Sequence, residues 1–288
     1  MKICIFEKNT SAIIDLTGAE LCSFKKDDKE YIWNADEKFW GKHGPLLFPV
    51  VGKFFEDKIK IGGSEYNMQG HGFLQDLQFE IIEKSKNFIK IETTFDEETL
   101  KLYPFKFKFT ASYKINEAGL SAKYEIINID DKKMLYGFGL HNGFFCLSKG
   151  DKVEDLYLDF KKPVTIKKPT RFGDSFMDFR ERVTVIENES KLFFDDDWYP
   201  ANAPVCDTVN FNEFDLIHKN SGKILSYRFS ENFNLFNAWR MPNSPFICLE
   251  PWSSQVGVYP YVENLEDVQT IISLEANEYH EYSFDFNV

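Results

Sequence analysis

The stretch Phe105-Lys106-Phe107-Lys108-Phe109-Thr110-Ala111-Ser112-Tyr113 alternates large apolar residues with polar ones and ends on a small-residue variant of the same pattern. An extended chain turns successive side chains to opposite faces, so a period of two predicts a strand with one buried face. The same reading extends to either side. Phe88 to Thr93 and Leu120 to Ile126 alternate in the same way. Val183 to Ile186, Ile224 to Phe229, Phe246 to Leu249 and Tyr282 to Phe286 add further strands. Turn-forming clusters such as Asn116-Glu117-Ala118-Gly119 and Asn220-Ser221-Gly222 separate them. Phenylalanine supplies 30 of the 288 residues, and aromatic rings favour pleated, half-buried surfaces.

Helical patterning is confined to Asp36 to Trp40 and Glu97 to Leu102, enough for a turn or two and not for a layer. Without alternating strands and helices, doubly wound folds are excluded. The expectation is an all-β protein, a large antiparallel β-sandwich. No linker, repeat or change of composition divides residues 1–288, so one domain is expected, a size all-β folds do reach.

The formal charge is −12, which argues against a nucleic-acid partner, because neutralising phosphates needs a basic face. The densest basic run, Lys161-Lys162 to Lys167-Lys168, reads as a solvated strand edge. No apolar run approaches the roughly 18 residues that span a bilayer, so no membrane partner is expected. Lys2, Glu7 and Lys8 interrupt the N-terminus before a signal-peptide core can form. Cys4, Cys22, Cys146, Cys206 and Cys248 are odd in number and widely spaced, indicating neither a zinc motif nor a disulfide framework. Reduced, mostly buried thiols in a cytoplasm are expected, and the Asn-x-Ser/Thr matches at Asn9 and Asn188 then carry no weight.

Several familiar motifs fail. The glycines of Gly137-Phe138-Gly139-Leu140-His141-Asn142-Gly143 are misspaced for a dinucleotide fingerprint and open no helix. Asp195-Asp196-Asp197 lacks the other ligands of a calcium loop and reads as a solvated turn. Three positions remain. His71 and His141 are each followed or flanked closely by glycine, where backbone can approach a ligand. Such histidines serve either as hydrogen-bonded structural groups or as acid/base catalysts. Glu250 ends the apolar run Phe246-Ile247-Cys248-Leu249, where a carboxylate must be paired, face a cavity, or work.

Trp40 to Lys53, ending Gly44-Pro45-Leu46-Leu47-Phe48-Pro49-Val50-Val51-Gly52-Lys53, resembles the PILFPIVGR stretch of the aldose 1-epimerase (galactose mutarotase) family. Met68-Gln69-Gly70-His71-Gly72-Phe73 is similar to its HGFAR segment and Gly139 to Phe144 to its GxHPxF segment. Phe246 to Trp252 is similar to FVCIEPW, and Phe211 to Ile217 to FxxDALIF. The pieces fall in the family's order along nearly the whole chain, and the LacX-like branch is the nearest in pattern.

The resemblance implies a β-supersandwich with a sugar cleft and no cofactor or metal. It implies an enzyme that interconverts the α and β anomers of a neutral hexose. Glu250, His141 and His71 are the implied catalytic residues: Glu250 as base at the C1 hydroxyl, His141 as acid at the ring oxygen, His71 as an orienting hydrogen-bond partner. Implied substrate contacts are Lys53, Gln75, Asn142, Phe144, Asp215 and Trp252, with Phe144, Phe145 and Trp252 offering flat faces or packing in the core.

This chain departs from the pattern at three places. Lys53 and Gln75 stand where the family has arginines, and Asn142 where it has proline. Lysine lacks the planar fork of arginine, so these changes leave the identity of the sugar open and argue mildly against a hexose 6-phosphate, which stays as an alternative substrate. They also admit a sugar-binding protein without turnover. Asp215 could orient substrate, but its strand-turn context favours a structural hydrogen-bonding role. His43, His218 and His280 match no motif and are expected on exposed loops or edges. A monomer or a homodimer is expected.

Overall fold

Alternation sorts the strands into sheets as expected. A computed structural model describes residues 1–172, 176–194, 205–208 and 210–288; the Asp195-Asp196-Asp197 turn lies outside them. Nine antiparallel strands form the largest sheet, in the spatial order Phe176–Phe193, Leu156–Phe172, Glu213–His218, Gly222–Phe229, Tyr279–Asn287, Gly119–Asn128, Phe107–Ile115, Phe88–Thr94 and Glu80–Lys84. The segment that opened the sequence reading forms Phe107–Ile115, one of its inner strands. Phe105 falls just outside, its N–H turned back onto the Tyr103 carbonyl.

A second sheet carries Cys206–Asp207, Leu235–Trp239, Phe246–Trp252, Gly139–Leu140 and Leu46–Leu47 in that order, with Asn142–Phe145 also paired to Phe246–Trp252. The two sheets meet through aromatic side chains. Phe144 packs at 5.8 Å from Tyr227 and 5.3 Å from Phe286, and Phe236 at 5.2 Å from Phe214. Phe48 and Phe138 extend this layer onto Phe107, Phe109 and Tyr124. These are the tilted and edge-on geometries that the charge distribution of the rings favours. A four-stranded sheet, Lys2–Glu7 to Lys29–Glu30, completes the large strand assemblies.

Helix is as sparse as expected. Glu97–Leu102 is capped by Asp96, whose carboxylate accepts from the Thr99 N–H while Thr99 Oγ1 accepts from the Asp96 N–H. Asp36 to Trp40 makes one turn, with the Phe39 and Trp40 N–H groups donating to the Asp36 carbonyl. Among the described residues no helix is long and apolar enough to cross a membrane. All five cysteines are free, with Cys22, Cys206 and Cys248 buried and Cys4 exposed.

Phe246–Trp252 is buried along its whole length. Ile247 and Leu249 face the nine-stranded sheet and join the main core. Phe246, Cys248, Glu250 and Trp252 face the other way. There Phe246 and Cys248 pack under Trp33, and Trp252 against Leu47, Met177 and Val205. A strand covered on both faces reads as a continuous apolar run, which is why Glu250 stood out within it.

Candidate active site

The ladder of the second sheet builds a row of three side chains. Asn237 pairs directly with Glu250 on one side. On the other, the register runs Gly139 with Trp252 and Asn142 with Leu249, which sets His141 opposite Glu250. All three project to the outer face. His141 Nε2 lies 3.4 Å from Glu250 Oε2. One step along, Trp252 faces Gly139, where a Cβ would meet the indole Cδ1 at 2.6 Å; only glycine leaves room for that ring. Trp252 donates its Nε1–H to the Leu140 carbonyl at 3.2 Å.

His71 arrives from a different direction. Its N–H donates to the Gly52 carbonyl at 2.7 Å, and its Nδ1 accepts from the Gly52 N–H at 3.2 Å. With Nδ1 an acceptor, a neutral ring carries its proton on Nε2. The residue has φ 67°, a left-handed conformation costing about 1–2 kcal/mol for a residue with a Cβ. Backbone strain of this kind is concentrated at functional sites. The rings of His71 and His141 are 6.0 Å apart.

These groups line a cleft of about 530 Å³, within the usual range for small-molecule sites. Trp40 and Trp239 wall it, their rings 4.7 and 5.5 Å from that of His141. Among the described residues, larger cavities of about 770, 730 and 570 Å³ open elsewhere, and none of these is lined by a histidine. The chemistry therefore points to the smaller cleft.

The electrostatics follow from burial. Glu250 has no exposed surface, which pushes its carboxyl well above the usual carboxylate range, and Asn237 offsets this only in part. Burial pulls His141 down to about 3, aided by the neighbouring His71 and Lys42. His71 is likewise held at about 4 by burial and by Lys42. Burial thus favours the neutral form of all three groups. His141, Cys248 and Glu250 each offer a donor atom within 4.8 Å of the others. Burial favours the protonated Cys248 thiol and Glu250 carboxyl, so a metal held there would have to displace both protons. In a second such cluster, Glu20, Cys22 and His43, the thiol is pushed up to about 12 and Glu20 is occupied by the N–H groups of His43 and Gly44.

Glu250, His141 and His71 thus converge, and Lys53, Gln75 and Trp252 line the same cleft. Three expected contacts do not. Asn142 and Phe144 follow His141 in alternation and point to the inner face. Asn142 sits beside Tyr227 and Gly44, and Phe144 is fully buried in the core. Phe145 packs on Trp33 at 5.3 Å, outside the cleft. Asp215 lies on the nine-stranded sheet, 3.0 Å from Lys161 Nζ, in the structural role also foreseen for it.

The remaining histidines are less exposed than expected. His218 is buried and accepts from the Asn220 and Ser221 N–H groups; His43 is half-buried against the Trp33 carbonyl. His280 lies on an inner strand, bonded to the Tyr136 hydroxyl. Conversely Trp40, Lys42, Asn237 and Trp239 line the cleft without a sequence signal. Asn237 and Trp239 alternate with buried Phe236 and Ala238, but only the pairing with Phe246–Trp252 identifies their face.

Comparison with known proteins agrees with the fold and shows the family. The family model described as aldose 1-epimerase matches residues 1–282. Protein LacX of Lactococcus lactis subsp. lactis, plasmid form, is 28% identical over 281 residues, covering 94% of each chain. A galactose mutarotase related enzyme from Lactobacillus acidophilus superimposes with a TM-score of 0.90 at 27% identity, over 100% of this chain and 97% of the other. A galactose mutarotase-like protein from Lactobacillus casei gives the same TM-score at 24% identity, over 100% and 99%.

Proposed function

The chain belongs to the aldose 1-epimerase family, and from that premise we propose that it interconverts the α and β anomers of a hexose with a free anomeric hydroxyl. The observation that carries the reading is the buried Glu250 carboxyl facing His141 Nε2 at 3.4 Å in a cleft wide enough for a sugar.

Ring opening needs a base at the C1 hydroxyl and an acid at the ring oxygen, acting together, because the hydroxyl is only weakly acidic. Each positioned group contributes roughly 10²–10⁴-fold. The Glu250–His141 pair holds one proton between them. Before sugar binds, burial favours its place on the carboxyl. When sugar hydroxyls donate to the carboxylate, they replace the solvation that burial removed, and the proton passes to His141. Glu250 then takes the C1 hydroxyl proton as the C1–O5 bond breaks, and His141 delivers its proton to O5. The product is the open aldehyde. Rotation about C1–C2 presents the other carbonyl face, and closure reverses both transfers. His71, its proton on Nε2, donates to the ring oxygen or an adjacent hydroxyl. Trp252, Trp40 and Trp239 supply flat apolar walls for the ring.

Anomer exchange measured by NMR on glucose and galactose at equilibrium, for the wild type and Glu250→Gln, tests the reading. Exchange that disappears in the variant supports it; exchange that persists there removes Glu250 from the reaction.

A further inference from the structure

The formal charge of the cleft is opposite to that of the chain. Among the described residues, Lys42 and Lys53 are the basic residues of its wall, and Glu250 is its acidic one. The lining so described carries a formal charge of +1 even with Glu250 ionised, in a protein of net charge −12. The two lysines differ. Lys53 faces Asp57 at 3.4 Å, across a pair that is about half exposed. Lys42 instead donates to the Gln75 side-chain carbonyl, reaching across the mouth from the segment after Trp40. That acceptor is neutral. It holds the ammonium in place and leaves its charge uncancelled, with two of its three N–H donors still to be used. The ammonium lies close enough to depress both catalytic histidines. Sequence comparison alone counts an arginine lost at Gln75. The fold brings a cation onto Gln75 from a different part of the chain.

We propose that Lys42, docked on Gln75, is a specificity-determining residue that selects an aldose bearing an anionic substituent, a carboxylate or a phosphate ester. The proposal rests on the sugar-cleft reading above and refines its substrate class. A neutral hydroxyl would satisfy the donors but would leave the charge unanswered. An anion answers both.

Binding to the Glu250→Gln variant separates recognition from turnover. Calorimetric titration at low salt compares glucose, glucuronate and glucose 6-phosphate, with and without Lys42→Met or Lys42→Arg. Glucuronate or glucose 6-phosphate should bind at least about tenfold more tightly than glucose, the scale of one charge-assisted contact. Lys42→Met should abolish that difference and Lys42→Arg should keep it. Which anion binds identifies the substituent. Equal binding of the three sugars, no binding of any, or a preference that survives Lys42→Met overturns the proposal. Anomer exchange on the wild type is read separately: a bound sugar that is not turned over defeats the proposed reaction and leaves the role of Lys42 standing.

Discussion

His141 and Glu250 occupy facing register positions beside the strand Phe246–Trp252, with Nε2 3.4 Å from Oε2 and the carboxylate wholly out of water. The pair is competent only while it carries one proton. Lowering the pH adds a second when an imidazole titrates, which burial defers to about 3 for His141 and about 4 for His71. The pH profile of kcat/KM, which reports the free enzyme, should therefore be flat from neutrality down to about pH 5 and fall only below it. An acid limb centred near 6.5, the ordinary histidine value, would contradict this assignment.

Burying Glu250 costs stability in a pH-dependent way. A carboxyl whose folded pKa is raised binds more protons folded than unfolded above about pH 4.5, so folding weakens as pH rises through that range. Glu250→Gln removes the penalty, and its amide offers a donor to Asn237 Oδ1, which lacks a partner. We expect the variant to be more stable by about 1–3 kcal/mol at neutral pH, with the gain shrinking toward pH 4. Thermal melts across pH measure it; a variant less stable than wild type at pH 8 would count against a protonated Glu250.

The histidines contribute the opposite slope. Both are depressed, so the stability they confer is complete above about 6.5 and is lost as pH falls toward about 4 and 3. Replacing His71 by Asn should flatten the acid side of the stability curve. An acid slope equal to that of wild type would show that His71 does not titrate in this window.

Trp40 and Trp239 stand at the cleft wall against His141. Truncating either to Ala removes a face for the sugar ring, worth about 1–3 kcal/mol, so KM should rise roughly tenfold with kcat changed less. Steady-state anomer exchange at varied sugar concentration separates the two constants. An equal loss in kcat with KM unmoved would mean that these rings position His141 and not the sugar.

Gly72, with φ 72°, brings its backbone against Phe48, where a Cβ would fall 2.2 Å from the carbonyl oxygen. Gly72→Ala should destabilise by more than about 2 kcal/mol and displace His71, lowering both melting temperature and exchange rate. A wild-type melting point in this variant would show that the segment can yield.

Much of this architecture was legible in the chain. Phe107 to Tyr113 and Leu120 to Ile126 became adjacent inner strands because a period of two can bury its apolar half in only one way. Glu250 was conspicuous because a carboxyl at the end of an apolar run has few harmless explanations. Asn142 and Phe144 misled because motif proximity does not tell one face of a strand from the other. His141 faces the cleft, and its immediate successor, by the same alternation, cannot.

By itself the sequence determined the fold class, the strand segments and the three chemically conspicuous residues, all of which depend on local pattern. Only the tertiary structure decided which side chains share a face and a cavity. Asn237, Trp239 and Lys42 enter the cleft through pairings and contacts between segments distant in the chain. The burial that shifts Glu250 and the histidines likewise comes from strands and loops that local sequence does not specify. Sheet register and desolvation are properties of the assembled layers, which is why they became visible only there.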